Sequence, residues 1–337
     1  MSFLFLVFGF LFGYFLLQAR LNRYDTISGM ATLEDFTVAK AIMVALGVGT
    51  VLISVEVALG AAEFHIKPFI PGSLVLGGLI FGAGMAILGY CPGTLLISLG
   101  EGSLDALAGI AGALLGGVAF YLAAPVLLPF MGNNLGNLSL HFLLGGFGPG
   151  YFLIVFILSS ALIWGAFYLN KIEKSDSKKW LYSGAGLAVL NGIMFMHVTV
   201  GEPIGASSFF PWAGANLLGM TSASWYEKLN RSGQWLVLFL GGAFLAGLLF
   251  SVIRKEFKFR VIHARWQKYK GDSAMKRLTF AFFGGFLLLF GARMAGGCTS
   301  GHVISGGMQI AFSSYLFAIF TFAGLLVTGR FFYRKIR

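Results

Sequence analysis

The stretch Gly291–His302, GARMAGGCTSGH, follows directly on the apolar run Leu278–Phe290, LTFAFFGGFLLLF. It sets an arginine, a cysteine, two hydroxyl side chains and a histidine among glycines. Arginine at a helix centre in hydrocarbon costs about 2.5 to 3.5 kcal/mol on insertion scales, and glycine and serine are poor helix formers. Such a segment marks a helix interrupted at a polar site.

Outward from that break, the composition is that of a membrane protein. Of 337 residues, 57% are hydrophobic and only 11% charged, with mean hydropathy +0.83, where soluble domains carry roughly 25% charged residues. Nine runs approach or exceed the ~18 apolar residues of a spanning helix: 2–18, 37–59, 73–90, 103–124, 150–169, 181–200, 235–253, 278–297 and 303–329. The 48 glycines fit close packing between such helices. These features exclude a large soluble enzyme and predict an all-α polytopic membrane protein of about nine transmembrane helices plus short re-entrant half-helices. The N-terminus, MSFLFLVFGF, lacks a basic n-region and reads as a first span rather than a cleaved signal peptide.

The net charge of +11 does not point to nucleic acid. It resides in NKIEKSDSKKW, in RKEFKFRVIHARWQKYKGDSAMKR and in the tail RFFYRKIR, the pattern of cytoplasmic loops in a bilayer protein. With the N-terminus outside and the C-terminus cytoplasmic, nine crossings put 20 of the 24 Lys and Arg inside. Lys67, Lys228 and Arg231 lie outside and Arg293 within a span. The tract Arg254–Arg277 could also bind anionic headgroups or dock an acidic partner.

Gly77–Thr94, GGLIFGAGMAILGYCPGT, aligns without gaps on Gly284–Gly301, GGFLLLFGARMAGGCTSG, at an offset of 207. Gly77, Gly78, Gly84, Gly89 and Cys91 fall on Gly284, Gly285, Gly291, Gly296 and Cys298, so both cysteines of the chain are included. In the expected topology these spans run in opposite directions. This predicts two inverted repeats, over halves 1–170 and 171–337, the architecture of transporters with a midplane site.

Cys91 precedes Pro92, Gly93 and Thr94. Proline suits the first turn of a helix and pushes the residue before it out of helical geometry, so Cys91 is expected between one helix and a short second one. Cys298, with Gly297 before it and Thr299 and Ser300 after, reads the same way. Two helix N-termini meeting near the centre present N–H groups and positive dipole ends to an anion. A thiol is a soft, polarizable donor that suits an anion with a terminal sulfur; near helix N-termini it could also be nucleophilic. Against this stands the plain alternative that free cysteines pack as small hydrophobes.

Arg293 lies five residues before Cys298, about 140° around a regular helix. It either attracts the anion or pairs with Glu56, Glu101 or Asp105. His302 either donates to an anion or caps. Glu56 reads as interfacial, with a coupling proton as the alternative. His197 precedes a break at Gly201, Pro203 and Gly205 that predicts a third half-helix junction. Phe209, Phe210, Pro211 and Trp212 read as an outer interface belt. The five histidines are scattered and two cysteines are too few for structural zinc, so no metal is expected; there is no P-loop and no cofactor is expected.

The motifs GARMAGGCTSGHVISGG and GAGMAILGYCPGT, with GEPIGASSFFPW between them, resemble the YeeE/YedE membrane proteins. The resemblance implies an hourglass-shaped bundle of nine spans in a bacterial inner membrane, importing thiosulfate or a related sulfur anion. Thiols at Cys91 and Cys298 would pass the anion along by S–H···S hydrogen bonds, and a small cytosolic sulfur-carrier protein would be a partner. Family members carry a further cysteine after the first span, whose counterpart here is Asn22, able to donate to an oxyanion but not to act as a thiol. The alternatives are an intramembrane thiol enzyme (sulfurtransferase or dithiol oxidoreductase) and a scaffolding subunit. An inside-negative potential of 100 mV opposes entry of a dianion by about 2.3 kcal/mol per charge, so import requires symport or rapid consumption.

Overall fold

The computed structural model describes residues 2–334, so Lys335 and Arg337 of the basic tail lie outside the described residues. Among the described residues there are helices and no strands, only three isolated bridges. In chain order the helices are α1 (Ser2–Gln18), α2 (Tyr24–Ala31), α3 (Thr37–Ala58), α4 (Pro71–Leu88), α5 (Pro92–Gly100), α6 (Leu104–Leu127) and α7 (Leu140–Leu143). They continue with α8 (Pro149–Glu173), α9 (Lys179–Phe195), α10 (Phe209–Leu217), α11 (Ser224–Ile253), α12 (Ala264–Lys270) and α13 (Ala274–Met294). A π-helix (Thr299–Gly306) and α14 (Phe312–Phe332) complete the chain.

Among the described residues, seven helical segments are long and apolar enough to cross a membrane, with α4 and α5 counted as one. The chain is therefore a multi-pass membrane protein. The expected first and sixth spans coincide with α1 and α9, each of 17 residues and short of that length. Phe3, Phe156, Trp164, Ile253 and Phe283 are exposed, and such broad apolar exposure has its natural partner in lipid tails.

At the centre, α4 and α13 pack antiparallel. Gly77 lies against Gly291 and Ala295, and Gly84 against Gly284 and Leu288. A Cβ on Gly77 would sit 2.9 Å from the Gly291 carbonyl oxygen, and one on Gly284 2.8 Å from the Leu88 nitrogen. Only glycine lets the backbones approach so closely. Around this pair, α4 packs on α14 and α13 on α6, while α1 packs on α11 and α9 on α3.

The expected interface belt takes a different form. Phe209–Trp212 open α10, which packs on α6 and α11, with Phe210 and Pro211 buried. Their apolar side chains fill space between helices rather than facing headgroups. Glu56, read as interfacial, is 4% exposed.

Gly84→Val should place branched carbon into the α13 backbone and destabilise the fold by about 1–3 kcal/mol or more. Thermal unfolding in detergent should show a melting temperature several degrees lower, with lipid-facing Phe283→Leu unchanged. Equal melting of the two variants would contradict this packing.

Candidate functional site

Both cysteines sit where a long helix stops and a short one begins. α4 ends at Gly89 in the left-handed conformation, φ 78° and ψ 18°, with the Tyr24 ring where a Cβ would be. Cys91 is the N-cap of α5 and Pro92 occupies its first turn. The Thr94 hydroxyl accepts from the Cys91 N–H at 2.9 Å and donates to the Cys91 carbonyl at 3.0 Å, and the Thr94 N–H faces the thiol as in a capping box. Gly93 leaves room for the Phe12 ring.

The second break repeats these features. Gly296 also has φ 78°, and Cys298 is the N-cap of the π-helix. The Cys298 thiol lies 3.2 Å from the Ser300 hydroxyl, with the Gly301 amide and the Ser207 hydroxyl beside it. Gly297 leaves space taken by the Lys67 ammonium and the His302 ring. π-Helical turns are rare and are frequently found at functional sites.

Two cavities flank the Cys298 break. A vestibule of about 440 Å³ is lined by Lys67, Lys228, Arg293, Tyr121, Trp225 and Gly296. A pocket of about 150 Å³ adjoins it and shares Lys67 and Gly296, reaching Ser207, Ser208 and Gly301. Beyond this break, a cavity of about 60 Å³ is lined mostly by apolar side chains, Leu16, Leu21 and Met30 among them, with Cys91, Thr94, Thr299, Ser300 and Thr321 as its polar groups. The Thr299 and Thr321 hydroxyls are buried without a hydrogen-bond partner among the described residues. Buried polar groups are normally satisfied, so two free hydroxyls beside a thiol form a neutral donor set open to a small anion. Lys228 and Arg293 stand in the vestibule, while Lys67 also reaches the smaller pocket beside Gly297 and Gly301.

Sequence reading missed the braces that hold the breaks. Arg277, placed by its neighbours in a basic loop, is fully buried. It donates to the Leu88 carbonyl at 2.6 Å, the Ile87 carbonyl at 3.2 Å and Asp105 at 2.6 Å. Asp105 also meets His263 at 3.0 Å and the Tyr90 hydroxyl at 3.1 Å. At the other break, Lys67 donates to the Gly296 carbonyl at 2.9 Å. Each broken helix thus has a cation on its final carbonyls, where the helix dipole is negative. The available signal was an arginine immediately before a long apolar run.

His302 takes the capping role: its ring nitrogens meet the Ala295 carbonyl at 2.8 Å and the Ser314 hydroxyl at 3.1 Å, fully buried. Arg293 pairs with none of Glu56, Glu101 or Asp105. It donates to the Ser208 hydroxyl at 3.1 Å and the Tyr121 hydroxyl at 2.9 Å, because the helix end turns it into the vestibule. Asn22 is fully buried and donates to Glu101 at 2.5 Å, while the Ser98 hydroxyl donates to the Asn22 carbonyl at 2.6 Å. It lies at the opposite end of α5 from Cys91, roughly 14 Å along the helix. Arg23, next to it, pairs with Glu101 at 3.5 Å and with Glu256. Partial burial of Glu256 works against its charge, but Arg23 and Arg20 outweigh it and hold its carboxyl below the usual range. That ion pairing is present at neutral pH and is lost as acidification protonates Glu256. Among the described residues no cluster of His, Cys, Asp and Glu could hold a metal.

The profile of a family described as sulphur transport, the YeeE/YedE family, matches residues 19–327. The chain is also 25% identical over 335 residues to the thiosulfate transporter TsuA of Spirochaeta thermophila, covering 95% of each chain.

Asp105→Asn leaves Arg277 as an uncompensated buried charge and should destabilise the protein by about 3–5 kcal/mol. The double variant Asp105→Leu, Arg277→Met should lose less, as read by thermal unfolding in detergent. A double variant at least as unstable as the single would contradict the ion pair as the governing contact.

Proposed function

This chain belongs to the sulphur-transport family, and from that premise we propose that it imports thiosulfate or a closely related sulfur anion across a bacterial inner membrane. The carrying observation is that Cys91 lines a largely apolar cavity together with the neutral hydroxyls of Thr94, Thr299 and Thr321, while a cationic vestibule opens at Gly296, two residues before Cys298. The relative's name, a thiosulfate transporter, agrees with it.

The path begins at Lys67, Lys228 and Arg293, which concentrate the anion by long-range attraction. The anion then sheds water against Ser207, Ser300 and the Gly301 amide, with the Cys298 thiol offering a soft donor to its terminal sulfur. The first turn of α5 adds the Gly93 amide, while the Thr94 and Gly297 amides are held by the Cys91 and Ala292 carbonyls and shape the breaks. Transfer to the Cys91 thiol follows, and the unpartnered Thr299 and Thr321 hydroxyls replace lost hydration. Each donor is weak, so each step binds briefly, which is what throughput needs. Asn22, held by Glu101, follows at the far end of α5 as an oxyanion donor. The apolar seal at Leu16, Leu21 and Met30 must part for release.

The transmembrane reading is of nine crossings, with α1 and α9 completing the set, the N-terminus outside and the C-terminus in the cytoplasm. The two halves, 1–170 and 171–337, are related as inverted repeats. Three observations support this: exchange of the aligned segments turns the Gly77–Gly291 contact into Gly284–Gly84, the α4–α14 packing into α13–α6, and the α1–α11 packing into α9–α3. A two-fold axis through an antiparallel helix pair lies in the membrane plane. A cytosolic sulfur-carrier protein would dock on the face of the basic loops. The thiols serve as donors and not as enzymatic nucleophiles.

Uptake of sulfur-35-labelled thiosulfate into bacteria lacking their own importers should fall about tenfold or more in Cys91→Ala and in Cys298→Ala, the effect of losing a hydrogen bond of roughly 1.4 kcal/mol in a transfer step. Excess sulfate should leave wild-type uptake unchanged. Unchanged uptake in Cys91→Ala, or a covalent sulfur adduct on either cysteine during turnover, would overturn the thiol-donor path.

A further inference from the structure

Glu56 takes no part in the path described above, and its surroundings are unusual. It lies on α3, two residues before the helix ends and the chain turns toward Lys67. The residue is 4% exposed, and both carboxylate oxygens are buried with no hydrogen-bond partner among the described residues. An ionised carboxylate placed so would carry a charge that no donor or cation among the described residues compensates.

The site is built by the absence of a side chain on α9. A Cβ on Gly192 would come 2.9 Å from Glu56 Oε1. Next to Gly192, Asn191 ties α9 to the π-helix and its surroundings. Its Oδ1 accepts from Ser305 at 2.9 Å and from the Ile204 N–H at 3.0 Å, and its Nδ2 meets the Met308 sulfur at 3.1 Å. α3 touches the same region, with Gly49 against Met308 and Leu46 against Gly307. The α3–α9 wedge that encloses Glu56 therefore also holds the helix that begins at Cys298.

Other titratable groups on the elements around α3 have partners elsewhere. Tyr151 of α8 bonds Ser54 at 2.9 Å, and His302 of the π-helix is held by Ala295 and Ser314. His65 packs its ring on Phe195 of α9 at 5.4 Å, and His197 is exposed, with only its main-chain N–H bonded to the Ala61 carbonyl. Asp25 of α2 accepts from the Arg265 N–H at 2.9 Å, and Lys40, on the first turn of α3, pairs with Glu173.

We infer that Glu56 is the proton site of a thiosulfate–proton symport, loaded from the vestibule side and unloaded toward the face of the basic loops. This rests on the reading of the chain as a thiosulfate transporter. Loss of the proton draws the carboxylate toward water and opens the α3–α9 wedge, which shifts the Cys298 helix. By reciprocity, whatever moves that helix changes the proton's affinity for Glu56. One proton per anion halves the charge moved against the potential.

The test is carried out in proteoliposomes with the potential clamped at zero. Counterflow of labelled thiosulfate, which needs no net driving force, first establishes transport; its absence in wild type would sink the transporter reading itself. With counterflow present, an outside-acid gradient of one pH unit should raise wild-type accumulation about tenfold for one coupled proton, with acidification of the lumen. Glu56→Gln should keep counterflow and lose both effects. Wild type without gradient stimulation, or Glu56→Gln with full stimulation, overturns the proposal. If Glu56→Gln does not fold, Glu56→Asp replaces it: a displaced pH profile supports the assignment and an unchanged one overturns it.

Discussion

A helix that stops within a bilayer exposes carbonyls and amides that hydrocarbon cannot satisfy, and the rest of this structure follows from how those groups are met. α4 and α13 each stop at a glycine with φ 78°. Their carbonyl ends are answered from within the protein, by Arg277 at Leu88 and by Lys67 and His302 at Gly296 and Ala295. The amide ends of the short helices that follow face cavities instead. What would be a defect in a lipid-facing helix becomes a place for a ligand that brings its own negative charge.

The division of cations and neutral donors follows from the same constraint. Arginine and lysine stand at the vestibule and at the helix carbonyls, where fixed partners hold them. The narrow region between Cys298 and Cys91 has thiols, hydroxyls and amides alone among its polar groups. Asn22, Glu101 and Arg23 close the other end of α5 with a hydrogen-bonded and ionic cluster that a cysteine at Asn22 would not have formed.

Much of this was legible in residue types. The apolar runs mark most of the long helices to within about five residues, although α11 begins eleven residues before its run and α14 nine residues after its own, and the cysteines with Pro92 and with Thr299 and Ser300 locate both breaks. The aligned glycines identify which helices meet. What was not legible is tertiary. Arg277 sits among loop lysines in sequence, and only the fold turns it inward onto Asp105. Lys67 reads as a loop residue until α13 ends beneath it at Gly296. His302 reads as either an anion donor or a cap, because periodicity does not reveal that Ala295 and Ser314 already occupy both nitrogens. The burial of Glu56 depends on Gly192, 136 positions away, a pairing that one sequence does not disclose.

The central claim is that the anion rests between the two cysteine breaks, on neutral donors. An experimental structure with selenosulfate bound, located by the anomalous signal of selenium, tests it directly. The account predicts the selenium in the cavity bounded by Cys91, Thr94 and Thr299, on the thiol side of Cys298. Selenium found only beside Arg293 and Lys228, with that cavity empty, would contradict it.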